Sequence, residues 1–299
     1  MRILVSGSSG LIGTALVTRL RVAGHDVVSL VRRQAGAGEL RWDPAAGQQL
    51  PDDALDRVDA VVNLAGAGIG DHRWTDDYKR TLVASRLEGT ELLAASIGAA
   101  TNPPAVFVSA SAVGYYGNRG DEVLDERSPA GSGFLADLCV RWERAAAAAR
   151  SAATKVATVR TGIVLTPKGG ALRKQLPLFK LGLGGRFGDG RQWQSWITLD
   201  DEVGAIAHLL DHPADGAFNL TAPNPATNAD MAKALGRALH RPAVLPIPAF
   251  GPKLLLGGEL ADALLFSGQR VVPAALQSSG YEFQHPELAG ALDAMFSSP

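Results

Sequence analysis

Short apolar runs alternate with longer amphipathic stretches over the first 165 residues of the chain. This rhythm predicts a parallel sheet covered by helices on both faces, because each parallel strand needs a crossover before the next one. The runs that we predict to be strands are residues 2–6, 27–31, 60–64, 105–109 and 156–160. Their carboxyl ends should line one crevice, which is where ligands bind in open sheets of this kind.

The pattern changes after Leu165. Residues 169–190 are rich in Gly, Lys and Arg, which predicts loops and short helices rather than a long regular element. Residues 196–210 then predict a short strand and a helix, and residues 217–220 predict another strand. We therefore expect the chain to return to the main sheet after this excursion.

These elements predict an α/β fold of two unequal parts, a doubly wound parallel sheet with a smaller C-terminal substrate lobe. The sheet domain is expected to comprise residues 1–165, with residues 196–222 returning to it. The lobe is expected to comprise residues 166–195 and 223–299, with a strand interrupted by prolines at 243–247. Its predicted helix contains Leu260, Leu264 and Leu265.

Charge and composition narrow the class of partner. Lys and Arg number 29 against 30 Asp and Glu, so the whole chain has no field that would attract nucleic acid or an anionic membrane surface. A small-molecule substrate fits better. The His and acidic residues show no spacing typical of metal ligands, and we predict no metal site.

The cysteine count and the N-terminus indicate the compartment. Cys139 is the single cysteine, which excludes an intrachain disulfide. The N-terminal apolar stretch runs straight into glycines and is too short for a signal peptide, and no run of about 18 apolar residues occurs. We expect a cytoplasmic protein.

A glycine motif follows the first strand and opens an amphipathic helix. Small residues are needed there because the turn is tight, the backbone approaches a pyrophosphate, and the helix packs close to the strand. This position predicts a Rossmann-type βαβ unit that binds a nicotinamide dinucleotide. The motif consists of Gly7, Ser8, Ser9, Gly10, Leu11, Ile12 and Gly13.

Two arginines indicate which dinucleotide is bound. Arg32 and Arg33 follow the second strand, where a protein that prefers NAD would place an acid on the ribose 2′-hydroxyl. Arginines there favour the 2′-phosphate of NADP(H) instead. The alternative interpretation is a pair of solvated arginines in a loop.

Further motifs at the strand ends carry a resemblance to a known superfamily. Asn63-Leu64-Ala65-Gly66 forms a turn of small residues beside which an adenine ribose could lie, and Ser109-Ala-Ser111 ends the next strand. With the glycine motif, these features resemble the extended short-chain dehydrogenase/reductases, the superfamily of nucleotide-sugar epimerases. The resemblance implies that Leu64, Ala65, Gly66, Ser109 and Arg160 contribute to the cofactor site.

More narrowly, the chain is similar to the atypical epimerase-like group called YfcH-like, which ends in a domain of unknown function. The matching stretches are 74–86, 109–117, 160–165, 190–196 and 258–271.

The chain departs from the superfamily in its catalytic pair. Active members carry Tyr-x-x-x-Lys on one helix, with the Lys lowering the Tyr pKa so that it can exchange protons. Here the corresponding helix, near 134–150, has Phe134 and Leu138 at those positions, or Gly133 and Asp137 in the other register. Arg86 also replaces the superfamily's Asn. The resemblance therefore implies a cofactor site with altered or absent chemistry.

Hydroxyl groups near the nicotinamide remain as candidate acids. Ser111 matches the superfamily's catalytic serine, and Tyr116, or else Tyr115, could replace the missing tyrosine with help from Lys79 or Arg86. The alternative is a structural role, since such hydroxyls are often bonded to backbone.

A candidate substrate site follows from the stretch before the returning strand. Arg191, Gln192 and Trp196 combine a cation, an amide and a flat aromatic, a mixture suited to an anionic or sugar-like ligand. The alternative is a solvated basic loop over a buried tryptophan.

The sequence therefore predicts an NADP(H)-dependent oxidoreductase or epimerase acting on a polar substrate, with nucleotide sugars as one candidate class. The competing hypothesis is a non-catalytic NADP(H)-binding protein that senses cofactor redox state or scaffolds a partner.

Overall fold

A computed structural model describes residues 1–51 and 53–297. Seven strands form one sheet in the order β3-β2-β1-β4-β5-β6-β7, and every neighbouring pair is parallel. The strand order reverses between β1 and β4, which opens the crevice expected of a doubly wound fold. The strands are β1 (Arg2–Ser6), β2 (Asp26–Val31), β3 (Glu39–Arg41), β4 (Ala60–Asn63), β5 (Val106–Ala112), β6 (Lys155–Thr161) and β7 (Gly216–Leu220).

Helices cover both faces of this sheet and build the smaller lobe. A 3-10 turn spans Val113–Tyr116, directly after β5, and a π-helical turn spans Asp262–Phe266. The α-helices are α1 (Leu11–Val22), α2 (Asp76–Ala99), α3 (Phe134–Ala147), α4 (Gly170–Lys180), α5 (Leu199–Asp211), α6 (Asn228–Ala238), α7 (Phe250–Leu256), α8 (Gly258–Ala261), α9 (Ala274–Ser278) and α10 (Leu288–Phe296).

Alternation along the strands explains the layers. Ile3 and Val5 of β1 pack with apolar side chains of α1 and α5 on one face, whereas Leu4 packs with those of α2 on the other. Both faces of β1 are therefore buried, which is why its sequence is continuously apolar. The predicted Rossmann-type α/β fold is confirmed; the bounds of the five strands predicted before residue 165 differ by at most three residues at either end, and β3 was not predicted.

The smaller lobe has a core of its own. Apolar side chains of α4, α6 and α10 pack around Trp196. Short strand pairs lie outside the main sheet: Trp196–Thr198 runs parallel to Ile163–Leu165, and Arg270–Val271 runs parallel to Val123–Leu124. Trp193–Gln194 pairs antiparallel with Ala226–Thr227.

One predicted element of the lobe was wrong. Residues 243–247 form no strand, and Ile247 makes only an isolated bridge to Phe187, because Pro246 lacks the N–H that a ladder needs. The Gly-rich stretch also contains an eleven-residue helix, α4, which carries Pro177 inside it.

The assignment of residues 223–299 to the lobe stays a prediction. The C-terminal helices α9 and α10 pack against two different cores. Leu276 of α9 lies in the core of the sheet domain, whereas Leu292 of α10 lies in the core of the lobe. Residues 52, 298 and 299 of the predicted domains lie outside the described residues. Within the described part, no helix is both long and apolar enough to cross a membrane.

A carboxyl group without a cation partner lies under the sheet end. Glu202 of α5 is fully buried, and its Oε1 accepts a hydrogen bond of 2.7 Å from the Thr161 hydroxyl. Its Oε2 has no hydrogen-bond partner among the described residues. Burial raises the pKa of Glu202 to about 8, because a buried carboxylate loses its hydration.

This group should make stability depend on pH. The folded state keeps the proton on Glu202 up to about pH 8, whereas the unfolded chain releases it near the ordinary value of 4.5. Its stabilising contribution is therefore complete below pH 4.5 and is lost as the pH rises towards 8. Between pH 5 and pH 8 the free energy of unfolding should fall less in Glu202→Gln than in the unmodified protein, by more than about 1 kcal/mol. Urea unfolding at each pH measures this difference. The exposed Glu88→Gln is the control, and parallel pH profiles for Glu202→Gln and the unmodified protein would contradict the assignment.

Candidate functional site

The turn between β1 and α1 is held by close contacts of glycine backbones. Gly7 has a φ of +71°, and a Cβ at Gly13 would lie 2.1 Å from the Gly7 carbonyl oxygen. A Cβ at Gly7 would lie 2.6 Å from the backbone of Leu64, so the turn also touches the end of β4. These glycines are required by packing within the protein.

Gly10 differs from its neighbours because it faces open space. It is exposed, and a Cβ there would meet only the Gly7 carbonyl oxygen, at 3.3 Å. Gly10 is also the N-cap of α1 and offers no side-chain cap, whereas Thr75 and Thr198 cap α2 and α5. The N-terminus of α1 therefore has no side-chain cap from Gly10, and contact of Ser8, Ser9, Leu11 and Ile12 with a pyrophosphate stays a prediction.

A buried hydrogen-bond chain fixes the end of β4. Asn63 accepts from the Ser6 hydroxyl at 2.5 Å and donates to the Thr90 hydroxyl at 2.8 Å. The Trp142 indole also donates to Thr90, at 2.9 Å. Because every member has a partner, the loop that begins at Leu64 starts from a rigid point.

Arg86 supports that loop from below. Its guanidinium donates to the carbonyl oxygens of Ala67 and Leu82 and stacks on the Trp142 ring at 5.2 Å. A Cβ at Gly66 would come within 3.2 Å of this guanidinium. Burial lowers the pKa of Arg86. Its guanidinium binds the loop at Ala67, whereas the sequence predicted that it could assist a candidate tyrosine.

The two arginines after β2 have different surroundings. Arg33 forms a two-pronged ion pair with Glu39, at 2.7 and 2.6 Å, and this pairing lowers the pKa of Glu39 to about 2. Arg32 is exposed beside the same loop. Contact of both arginines with a 2′-phosphate stays a prediction, and Arg33 is already paired with an acid.

The end of β5 carries the serines. Ser109 is fully buried, and its hydroxyl has no partner among the described residues. Two positions on, the Ser111 hydroxyl donates to the Glu143 carboxylate at 2.7 Å. Glu143 lies on α3, the helix on which the superfamily carries its Tyr-x-x-x-Lys pair.

Glu143 also forms a buried ion pair with Arg160 of β6. Two hydrogen bonds of 2.8 Å join them, and only 5% of the Arg160 side chain is exposed. Burial opposes the charge of Arg160, but the hydrogen bonds and the attraction of Glu143 outweigh it and raise the pKa of Arg160. Arg160 was predicted to bind cofactor, but these two N–H donors are bonded to Glu143.

The two tyrosines have unequal access. Tyr116 is fully buried, donates to Asn219 at 2.7 Å and accepts from Arg160 at 2.9 Å. Burial raises its pKa to about 12. Tyr115 is half-buried, and the Arg160 guanidinium lies 3.5 Å from its ring centroid. The geometry places Tyr116 in a structural network and makes Tyr115 the more accessible hydroxyl.

The predicted cation Lys79 is engaged elsewhere. Its ammonium binds both carboxylate oxygens of Glu259, at 2.6 and 2.5 Å, and lies over the Trp74 and Phe134 rings. The ammonium of Lys79 is therefore bound by Glu259 of α8 and not by the hydroxyl of Tyr115 or Tyr116.

The three predicted substrate residues have different surroundings. Trp196 is fully buried and donates to the Asn224 carbonyl oxygen at 3.0 Å, so it is a core residue rather than a substrate contact. Gln192 donates to the carbonyl oxygens of Phe187 and Leu265. Arg191 alone is exposed.

Sequence reasoning missed Glu143, the acid that links Ser111 to Arg160. Its signal was an acid directly after Trp142, within the mostly apolar buried stripe of α3. It also missed Asn219 and Glu126, whose carboxylate accepts from the backbone N–H groups of Asn219 and Ala275 at 2.9 and 3.1 Å.

A family comparison decides the relationship. Residues 3–221 match the NAD dependent epimerase/dehydratase family, and residues 247–295 match a domain of unknown function, DUF1731. The chain belongs to the NAD dependent epimerase/dehydratase family. The resemblance to epimerase-like short-chain dehydrogenase/reductases with that C-terminal domain is thereby confirmed.

Relatives within the family span the whole chain. An epimerase family protein of Mycobacterium bovis is 47% identical over 97% of this chain and 96% of its own, and human epimerase family protein SDR39U1 is 40% identical over 98% of each. A crystal structure of human SDR39U1 with NADPH has a TM-score of 0.92 at 38% identity and covers 100% of both chains. A structure of MoeE5 with UDP-glucose and NAD, 21% identical with a TM-score of 0.77 over 99% and 98%, shares the fold.

The glycine turn separates cofactor contact from packing. We expect Gly10→Val to fold but to lose the rise in melting temperature that NADPH gives the unmodified protein, because the side chain would fill the open space at α1. Gly13→Ala should instead lower the melting temperature without ligand, since its Cβ meets the Gly7 carbonyl oxygen at 2.1 Å. Gly98→Ala, which meets nothing within 4 Å, is the control. Protection of Gly10→Val by NADPH would place the pyrophosphate elsewhere.

Proposed function

We propose that this chain binds NADP(H) in the crevice beside the β1–α1 turn and catalyses oxidoreduction or epimerisation of a polar substrate, with nucleotide sugars as one candidate class. The observation that carries the catalytic part is the Ser111 hydroxyl donating to Glu143 at the end of β5. Membership of the epimerase/dehydratase family and the NADPH in the human relative's structure support the cofactor.

When bound, the nicotinamide supplies or accepts a hydride. The residues of this chain must then hold or move the proton that the reacting oxygen gains or loses. Ser111 is placed for this task, because its hydroxyl is already bonded to a carboxylate. A proton that leaves the substrate through the Ser111 oxygen can pass to Glu143, and the reverse path returns it.

Arg160 tunes this pair. Its guanidinium donates to both oxygens of Glu143 and fixes the position of the carboxylate beside Ser111. The same guanidinium lies on the Tyr115 ring, so the tyrosine at the site's edge is fixed by a cation–π contact. Ser111 and Tyr115 are therefore the hydroxyls that we assign to substrate, and Tyr116 is assigned to positioning.

The non-catalytic alternative also has an observation in its favour. The raised pKa and full burial of Tyr116 remove the tyrosine that the sequence favoured as the acid. Lys79, which would have assisted it, binds Glu259. If no compound reacts, the protein is an NADP(H) sensor or scaffold.

NADPH should bind more tightly than NADH. One charge-assisted hydrogen bond to a phosphate contributes roughly 1.5–3 kcal/mol, on the order of 10 to 100-fold in affinity. We expect Arg32→Ala with Arg33→Ala to remove most of this preference, and calorimetry measures it directly. The exposed Arg237→Ala on α6 is the control for a loss of charge alone. Equal affinities of the unmodified protein for NADPH and NADH would sink the assignment.

Ser111→Ala decides between enzyme and binder. We expect it to leave NADPH affinity within a few-fold but to slow turnover at least about tenfold, because the path from substrate to Glu143 is broken while the Glu143–Arg160 pair remains. Turnover is followed by NADPH absorbance over a panel of carbonyl compounds and nucleotide sugars, and by exchange of substrate C–H with solvent. Ser278→Ala, an exposed serine on α9, is the control.

The two contrary results have different meanings. No reaction with any compound favours the binder. A reaction whose rate is unchanged in Ser111→Ala shows that the enzyme uses another acid.

Tyr116→Phe should lower stability, because Asn219 and Arg160 each lose a buried partner.

A further inference from the structure

Exposed large apolar side chains are concentrated in one part of the smaller lobe. Among the described residues, twelve large hydrophobic side chains are exposed, and eight of them belong to segments 170–187 and 240–256. Isolated exposed apolar residues are ordinary, but such a concentration marks an interaction surface. The eight are Leu178, Leu181, Leu183, Val244, Leu245, Phe250, Leu254 and Leu255.

Backbone contacts show that the two segments are adjacent. The Ile247 N–H donates to the Arg186 carbonyl oxygen at 2.7 Å, and the Arg241 guanidinium donates to the Lys180 carbonyl oxygen at 3.0 Å. α7 begins three residues after Ile247, so Phe250 continues the same region. We call these two segments together the apolar–basic face.

The charges of this face have one sign. Its two segments contain six Lys and Arg residues and no Asp or Glu, although the whole chain has 29 of the former and 30 of the latter. Lys174 and Lys253 are paired with Asp71 and Asp262, outside the two segments. The remaining cations are Arg173, Lys180, Arg186 and Arg241.

We propose that the apolar–basic face docks on the surface of a lipid bilayer that contains anionic lipids. Exposed leucines and a phenylalanine would enter the boundary between headgroups and acyl chains, while the cations contact anionic headgroups. The balanced charge of the whole chain predicted no attraction to such a surface. That overall balance does not describe these two adjacent segments, which bring cations and exposed apolar side chains into one region.

Charge selects this occupant over a second copy of the chain. Two such faces brought together would oppose four cations to four, because only Lys174 and Lys253 of the six are paired with the acids Asp71 and Asp262. A bilayer accepts apolar side chains over the whole of the face and supplies the missing negative charge.

Vesicle sedimentation tests the proposal. The full chain is mixed with vesicles of phosphatidylcholine alone, or with about 30% phosphatidylglycerol added. We expect binding to the anionic vesicles that is at least about tenfold weaker on the neutral ones and that falls as salt is raised. Leu181→Glu with Leu254→Glu, and separately Arg173→Gln with Lys180→Gln, should each weaken binding at least about tenfold.

Matched variants elsewhere on the chain keep the test specific. Val22 of α1 is 85% exposed and lies outside the face, so Val22→Glu should bind vesicles like the unmodified protein, as should Arg41→Gln. Retained NADPH affinity shows that each variant is folded and separates this test from the proposed activity. Equal binding to both vesicle types, no binding to either, or equal loss in Val22→Glu would overturn the proposal. A dimer in sedimentation velocity that Leu181→Glu with Leu254→Glu dissociates would overturn it in favour of a second copy.

Discussion

The buried ion pair between Glu143 and Arg160 is the interaction on which the crevice at the ends of β5 and β6 depends. It joins α3 to β6, holds Ser111 through one carboxylate oxygen, and places a guanidinium on Tyr115 and against the hydroxyl of Tyr116. Removing one partner of such a pair typically costs about 3–5 kcal/mol, because the other charge is left buried alone. Stability and candidate chemistry therefore rest on the same two side chains.

This arrangement changes what α3 contributes to the site. In the superfamily, that helix is expected to provide a hydroxyl made acidic by a neighbouring cation. Here α3 provides an anion, and the cation comes from the adjacent strand. A carboxylate can accept a proton from Ser111, whereas the fully buried Tyr116, with its raised pKa, holds its own proton firmly. In the proposed chemistry, the helix α3 therefore supplies the anion and the strand β6 supplies the cation.

Local features were the ones that the sequence predicted well. β1, the glycine turn and α1 follow one another directly, so apolar alternation and glycine spacing were enough to locate them. The partners of side chains were less accessible to sequence reasoning. Tyr116 meets Asn219, 103 positions away, and Lys79 meets Glu259, 180 positions away, so their burial and pairing depend on tertiary packing. Trp196 was misassigned for the same reason, since a strand residue can face either a ligand or a core.

The C-terminal segment has its anchors in two different places. Leu276 fills a gap in the core beneath the sheet, Leu292 fills one in the lobe, and Glu126 holds the backbone N–H of Ala275. The stretch matched to DUF1731, 247–295, is therefore a seam between the two parts and not an appended module. An insertion or deletion within it would disturb both cores at once. We therefore expect this stretch to be inherited together with the sheet domain that it packs against, and not to be exchanged between proteins as a separate module.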